Sequence, residues 1–225
     1  MKHNLTIIDN FYDNIEEVRD FAIKQKYYPC LKEMPDDVRE GDKKTDEGKK
    51  IWDEQISKIG HFFVGKRSLS VEYLNKNIYR QFVDKMKLFV QLDPDKKYTM
   101  STHFHLLIPS DKAINIHQDK DTLVAGLIYL NPVSPNFQGT FFYKHNETGN
   151  DGTEKTEEFA AIVAQLDMIN VSSAKDFSAT SYIDNKYNRC VFYNPYTLHS
   201  APDGFGETSD CGRLTQPFFI REVNV

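Results

Sequence analysis

Three side chains in this sequence can converge on one metal ion. His117 and Asp119 stand two apart in Asn115-Ile116-His117-Gln118-Asp119. On an extended chain alternate residues project to the same side, so this imidazole and carboxylate can reach one point. Alone, the pair is equally consistent with a hydrogen-bonded histidine beside a solvated acid. The third candidate is His199, in Tyr196-Thr197-Leu198-His199-Ser200-Ala201. Two imidazoles and a carboxylate on one face of a metal leave the opposite positions open, the arrangement suited to non-haem iron(II) and dioxygen. Thiolate-rich sets suit other metals and tasks.

A fourth candidate is Arg213, in Gly212-Arg213-Leu214-Thr215-Gln216. On a strand, Arg213 and Thr215 share a face. A guanidinium fork matches a carboxylate bidentately, and a neighbouring hydroxyl adds a hydrogen bond. The pair could anchor the far end of a dicarboxylic acid whose near end reaches the metal; an ion-pair role for Arg213 is the plainer alternative.

The elements that must position these residues are legible in the hydrophobic pattern. Leu5–Ile8 reads as a short strand. Asp13 and Glu16 form a possible capping box for a helix carrying Ile15, Val18 and Ala22, with Pro29 beyond it. Residues 31–50 are almost wholly polar and read as a surface loop. Ile78, Phe82, Val83, Met86, Phe89 and Val90 trace the core face of a long helix that Asp93-Pro94 stops. From Lys97 the period changes to two, and Tyr98, Met100, Thr102, Phe104, Leu106 and Ile108 alternate with the residues between them.

Further strands are expected at Ala113–His117, Leu123–Leu130, Thr140–Tyr143, Arg189–Tyr193 and Leu214–Arg221, with a helix over 157–169. His103 and His105 share one strand face and either line the pocket or are satisfied structural histidines. His145 is expected to face solvent, and Asp203-Gly204-Phe205-Gly206 to form a turn near the site. Helices first and then mostly antiparallel strands suggest a mostly β (α+β) chain, a helix-supported jelly-roll-like barrel.

Composition excludes several classes. The chain has 225 residues, 40% of them hydrophobic and 27% charged, as in an ordinary globular protein. The apolar runs near Val124–Leu130 and Ala160–Leu166 fall far short of the ~20 residues of a membrane-spanning helix. The net charge is −5, and the Lys43–Lys50 stretch is interleaved with acids, so no nucleic-acid footprint is indicated. The three cysteines, Cys30, Cys190 and Cys211, form no metal-binding spacing and, with no signal sequence, point to the reducing cytoplasm.

Taken in order, His117-x-Asp119, His199 and Arg213-x-Thr215 resemble the motif of the 2-oxoglutarate/Fe(II)-dependent dioxygenases. The segments HQDKDTLVAGLIYLNP, GTFFY, NRCVFYNPYTLHSAPDGFG and GRLTQPFFI are similar to prolyl-hydroxylase-like members, particularly a small bacterial and phage set. The opening IIDNFYDNIEEVRDFAIKQKYYP is similar to the N-terminal helix segment of that set. The resemblance covers nearly the whole chain and is weakest over 31–70 and 144–185.

The resemblance implies a double-stranded β-helix, a jelly-roll or cupin-like barrel supported by N-terminal helices. It implies one domain over 1–225, with a helical support region over 1–96 and the β-helix over 97–225. It implies Fe(II) held by His117, Asp119 and His199, with 2-oxoglutarate and O2 as co-substrates. Arg213 would bind the distal carboxylate of 2-oxoglutarate, Thr215 would assist, and Tyr129 and Tyr143 would line that pocket. The reaction implied is hydroxylation of an amino-acid, peptidyl or other small-molecule substrate, releasing succinate and CO2. Asp119 favours hydroxylation or a related oxidation over halogenation, since family halogenases carry a small residue there. Many prolyl-hydroxylase relatives carry lysine where Arg213 stands, a departure that weakens any specific prolyl-hydroxylase assignment. Two other classes stay open: a cupin-like metalloenzyme without 2-oxoglutarate, and a non-catalytic binding module.

Overall fold

In a computed structural model that describes residues 5–30, 33–35, 62–111, 116–120, 122–154 and 174–223, period-two sequence becomes two antiparallel sheets. The chain order is β1 (Leu5–Ile8), α1 (Ile15–Ile23), β2 (Tyr28–Cys30), β3 (Phe62–Ser70), α2 (Val71–Leu74) and α3 (Lys76–Phe89). There follow β4 (Tyr98–Leu107), β5 (Val124–Tyr129), β6 (Thr140–His145), β7 (Phe177–Ile183), β8 (Cys190–Tyr193), β9 (His199–Ser200) and β10 (Arg213–Glu222). The larger sheet runs β1-β8-β5-β10-β4-β3-β2 and the smaller β7-β6-β9.

The alternation in β4 and β10 divides two environments. Phe104, Leu106, Leu214, Phe218 and Ile220 face the helices and join Val18, Ala22, Ile78, Phe82 and Met86 in the main core. Phe82 and Phe218 meet with ring centroids 5.3 Å apart. Full burial of each such side chain contributes on the order of 2–3 kcal/mol. The opposite face of the large sheet, through Ala125, Tyr129, Val191 and Tyr193, packs on Phe142 and Ile183 of the small sheet. All four residues of β8 are buried because β8 lies between β1 and β5 with covered faces on both sides.

Several local expectations are corrected. The capping box does not form: Asp13 accepts from Lys85 Nζ at 2.7 Å, and Glu16 accepts from the Tyr187 hydroxyl at 2.7 Å. The N-cap of α1 is Asn14, whose amide donates to Glu17 instead of capping the backbone. In α3 the cap is Asn75, whose side chain accepts from the Asn77 and Ile78 backbone N–H groups. That helix ends at Phe89, ahead of Asp93-Pro94.

Residues before 97 supply three strands of the large sheet as well as helices. His145 does not face solvent; its ring is buried, 5.3 Å from Phe177. The Asp203–Gly206 turn packs against β4, since a Cβ on Gly204 would lie 2.4 Å from the Ile108 backbone. The strand expected at Ala113–His117 is described only at Ile116 and His117, and His117 forms a β-bridge with His199. The loop expected over 31–50, apart from 33–35, and the helix expected over 157–169 lie outside the described residues. Among the described residues no helix is long and apolar enough to cross a membrane.

Candidate active site

His117 and His199 are brought together by backbone pairing. Each donates its N–H to the other's carbonyl, at 3.0 and 3.1 Å, and the imidazole centroids lie 4.3 Å apart. Asp119 completes the cluster: Oδ1 is 3.8 Å from His117 Nε2, and Oδ2 is 3.3 Å from His199 Nε2. One ligand atom from each of the three residues lies within 4.8 Å of the others.

The electrostatics suit a cation. Burial works to raise the Asp119 carboxyl, yet the His199 and His117 rings and the Arg67 guanidinium hold it below its ordinary value. His199 Nδ1 lies 2.9 Å from the Thr197 carbonyl. A carbonyl only accepts, so Nδ1 carries a proton and Nε2 is the ring nitrogen on the Asp119 side, the one left to ligate a metal. A tautomer fixed in this way, with one carboxylate and two imidazoles converging, fits a divalent metal with open positions.

The segment bearing His117 and Asp119 is clamped between two loops. The Gln118 amide donates to the carbonyls of Tyr196 and Gly152, and Asp119 N–H donates to the Pro195 carbonyl. Gly152 sits at φ +100, and a Cβ there would lie 2.0 Å from the Tyr196 carbonyl oxygen. Only glycine takes that conformation at so close an approach.

Arg213 is fully buried. Nε donates to the Gln138 carbonyl at 3.0 Å and Nη2 to the Gly139 carbonyl at 2.8 Å. No carboxylate among the described residues pairs with it. Among the described residues its buried charge therefore meets neutral carbonyls only, an arrangement costly to leave without a counter-charge. Burial lowers its pKa, while the phenols of Tyr129, Tyr182 and Tyr193 act the other way.

The triad, Arg213 and Thr215 line one cavity of about 1300 Å³, with Thr140, Tyr193 and Leu127 among its other walls. Tyr129 backs this group rather than lining it: Arg213 packs 5.9 Å over its ring, and its hydroxyl lies 2.6 Å from Thr140 Oγ1. Tyr143 stands behind the lining, against Ser200, which lines the cavity. Its hydroxyl lies 3.0 Å from Ser200 Oγ and its ring is tilted beside Phe141, with centroids 6.4 Å apart. His103 and His105 both line the cavity, and His105 Nε2 lies 2.6 Å from the Val64 carbonyl.

The model of a family of unknown function, DUF6445, matches residues 60–220. The chain belongs to DUF6445. Among proteins of curated function none matches the sequence. Among solved structures, HygX from Streptomyces hygroscopicus with nickel and 2-oxoglutarate bound is similar over 98% of this chain and 83% of its own, at 10% identity and TM-score 0.50. HygX with nickel, 2-oxoglutarate and hygromycin B bound gives the same identity, coverage and TM-score. A prolyl hydroxylase from Trichoplax adhaerens, in complex with a hypoxia-inducible-factor peptide fragment, covers 98% and 84% at 10% identity and TM-score 0.48. The resemblance to the 2-oxoglutarate/Fe(II) oxygenases therefore holds for this DUF6445 chain at the level of fold.

Arg67 is one of the cavity residues that the sequence of this DUF6445 member did not bring forward. It lies on β3, and a short run such as Phe62-Phe63-Val64-Gly65-Lys66-Arg67 shows no clean alternation. An arginine in an apolar run was the available signal.

Proposed function

We propose that this protein is an Fe(II)- and 2-oxoglutarate-dependent dioxygenase that hydroxylates a small-molecule or peptidyl substrate, with release of succinate and CO2. One observation carries the reading: a His-Asp-His triad and a buried arginine with no carboxylate partner line the same cavity. The triad alone would fit many metalloproteins. A fixed cation across the cavity adds a demand for an anion, and 2-oxoglutarate has a carboxylate at each end.

In this reading His117, Asp119 and His199 hold the metal, which supplies activation of dioxygen and oxidative decarboxylation of the keto-acid. The chain's own part is placement. Thr197 fixes the His199 ring so that Nε2 is the ligand atom. Gln138 and Gly139 aim the Arg213 fork, and Thr215 offers a hydroxyl on the same strand face. Tyr193 walls the pocket and Tyr129 backs Arg213 with aromatic surface, which excludes water and strengthens the ion pair with a bound carboxylate. The two sheets with their enclosed site are read as a double-stranded β-helix, one domain supported by α1 and α3. Cys190 and Cys211 are free thiols, which fits a cytoplasmic enzyme.

The test is an anaerobic titration of the purified protein with iron(II) and then 2-oxoglutarate, following the visible metal-to-ligand charge-transfer band. The band is expected in the parent, lost in His117→Ala and weakened in Arg213→Ala. A folded, iron-loaded parent that gives no band overturns the 2-oxoglutarate assignment and favours a cupin-like metalloenzyme.

A further inference from the structure

A histidine on the cavity face of β4 carries a polar atom with nothing to bond. Thr99, Ser101, His103 and His105 alternate along this strand and all line the cavity. His105 lies opposite Arg67 on β3 and Thr215 on β10, and Ser101 lies opposite Phe219 on β10. Directly opposed residues in an antiparallel ladder project to the same side. His103 therefore stands between the level of the Arg213–Thr215 anchor and the level of Phe219, about 7 Å along the strand from each.

The neighbours of His103 on this face are served from within the chain. His105 Nε2 lies 2.6 Å from the Val64 carbonyl oxygen, and Ser101 Oγ accepts from Arg221 Nη1 at 3.0 Å. His103 Nε2, by contrast, is buried and has no hydrogen-bond partner. The ring packs beside Phe219, with centroids 6.5 Å apart and planes at 22°, so an aromatic contact holds it in the wall. A buried polar atom left without a partner costs free energy that a ligand can recover. The χ2 torsion of histidine is broad, so a small turn of the ring brings Nε2 to a ligand in the cavity.

The chemistry of that ligand follows from the ring and its surroundings. Burial above all, and the Arg67 charge next, hold the His103 pKa well below its ordinary value, so the ring is neutral. A neutral imidazole offers one N–H and one lone pair, a match for an uncharged donor or acceptor. The wall beside it is apolar: Pro217 pairs with Leu127 across β10 and β5, and both line the cavity with Phe219. A group that satisfies Nε2 from this side brings hydrocarbon with it, because the surface it must lie on is hydrocarbon.

We propose that His103 sets substrate choice: its Nε2 hydrogen-bonds an uncharged hydroxyl or amide of the substrate, and the apolar frame bearing that group packs on Phe219 and Leu127. This rests on the cavity being the oxygenase active site proposed above. The substrate class is a neutral polar group on an apolar frame. With the co-substrate held at the level of Arg213, the hydrogen bond fixes the substrate one step along the sheet from it.

The test uses benzamide as the probe, toluene as the frame without the polar group, and benzoate as the charged counterpart. Each is titrated by NMR into the zinc(II)-loaded protein saturated with 2-oxoglutarate. Saturable benzamide binding is expected, about threefold or more tighter than toluene, the size of one neutral hydrogen bond. Benzoate should bind no more tightly than benzamide. His103→Phe keeps an aromatic ring beside Phe219 and should bring benzamide down to the toluene affinity while leaving toluene itself unchanged. His103→Gln, which restores a neutral donor and acceptor, should recover part of the difference. A merely structural role for His103 would weaken benzamide and toluene alike.

Equal affinities of the parent for benzamide and toluene, tighter binding of benzoate, no saturable benzamide binding, or undiminished benzamide binding by folded His103→Phe overturns the inference. If the parent fails to bind 2-oxoglutarate, the proposed function falls. The benzamide and toluene series, run without the keto-acid, then decides the role of His103 alone.

Discussion

Gln118 and Tyr196 join the two halves of the metal cluster: the Gln118 amide donates to the Tyr196 carbonyl, three residues before His199. The same amide donates to the Gly152 carbonyl at 3.1 Å. His117 and Asp119 flank Gln118, so this side chain supports the backbone pairing that sets their separation from His199. Gln118→Leu removes both bonds and leaves two carbonyls facing an apolar group. The expected result is a 10- to 100-fold loss of metal affinity, on the order of losses seen when groups supporting metal ligands are removed. Isothermal titration with zinc(II) checks it. Unchanged affinity in a folded variant would show that backbone pairing alone positions the triad.

Gly139 sits where no side chain fits. A Cβ there would lie 1.8 Å from the Ile183 carbonyl oxygen. Its own carbonyl accepts from Arg213 Nη2. Gly139→Ala must push β6 away from Ile183 and turn that carbonyl. The expected cost is about 1–3 kcal/mol in stability, as for overpacking, with a several-fold weaker 2-oxoglutarate affinity. Thermal melts and the charge-transfer titration measure the two effects separately.

How legible this site was depends on how local its signals are. His117, Asp119 and Arg213-x-Thr215 announce themselves through period-two spacing on extended chain, a property of the backbone. The strands β4, β5, β8 and β10 were legible for the same reason. Tyr143 is not among the described lining residues because it shares a strand face with Phe141, opposite the buried Thr140 and Phe142 of β6. β7 was missed since Ser178, Ala179, Thr180 and Ser181 are all exposed, leaving no alternation to read. Arg67 enters the site through a pairing across β3, β4 and β10, which is a property of the tertiary fold.

A surface ion-pair group gives a pH prediction. Asp9 accepts from Arg189 at 2.7 and 3.1 Å and from Lys186 at 2.7 Å, tying the end of β1 to the approach to β8. The Arg189 and Lys186 hydrogen bonds hold the Asp9 carboxyl well below its ordinary 3.8. A carboxyl lowered in the folded state stabilises above its unfolded pKa, and that contribution is lost as pH falls through the folded value. The side chain of Asp9 is 34% exposed, so solvent screens the effect. Asp9→Asn is expected to cost about 1 kcal/mol at neutral pH, the upper end for an exposed pair with good geometry. The urea-midpoint gap between parent and variant should stay constant down to about pH 5 and narrow below it. A gap that widens on acidification would contradict the assignment.

Asn188 makes a further tie between the N-terminal segment and the large sheet. Its side chain accepts from the Tyr12 N–H at 2.8 Å and donates to the Tyr12 carbonyl at 2.8 Å. Its own carbonyl accepts from Phe11 N–H at 3.0 Å, and its backbone sits at φ +60, where asparagine is tolerated better than most residues. Both Phe11 and Tyr12 are buried in the main core. Asn188→Ala leaves two buried backbone groups of Tyr12 without partners and puts a Cβ residue at positive φ with no polar side chain to favour it. Each unsatisfied group costs about 1–3 kcal/mol, so a loss of roughly 2–5 kcal/mol is expected. Asn188→Gly relieves the backbone but not the lost bonds, and should recover about 1 kcal/mol of that loss. Denaturant melts of both variants separate the two contributions. Equal stabilities would assign the whole effect to the Tyr12 hydrogen bonds.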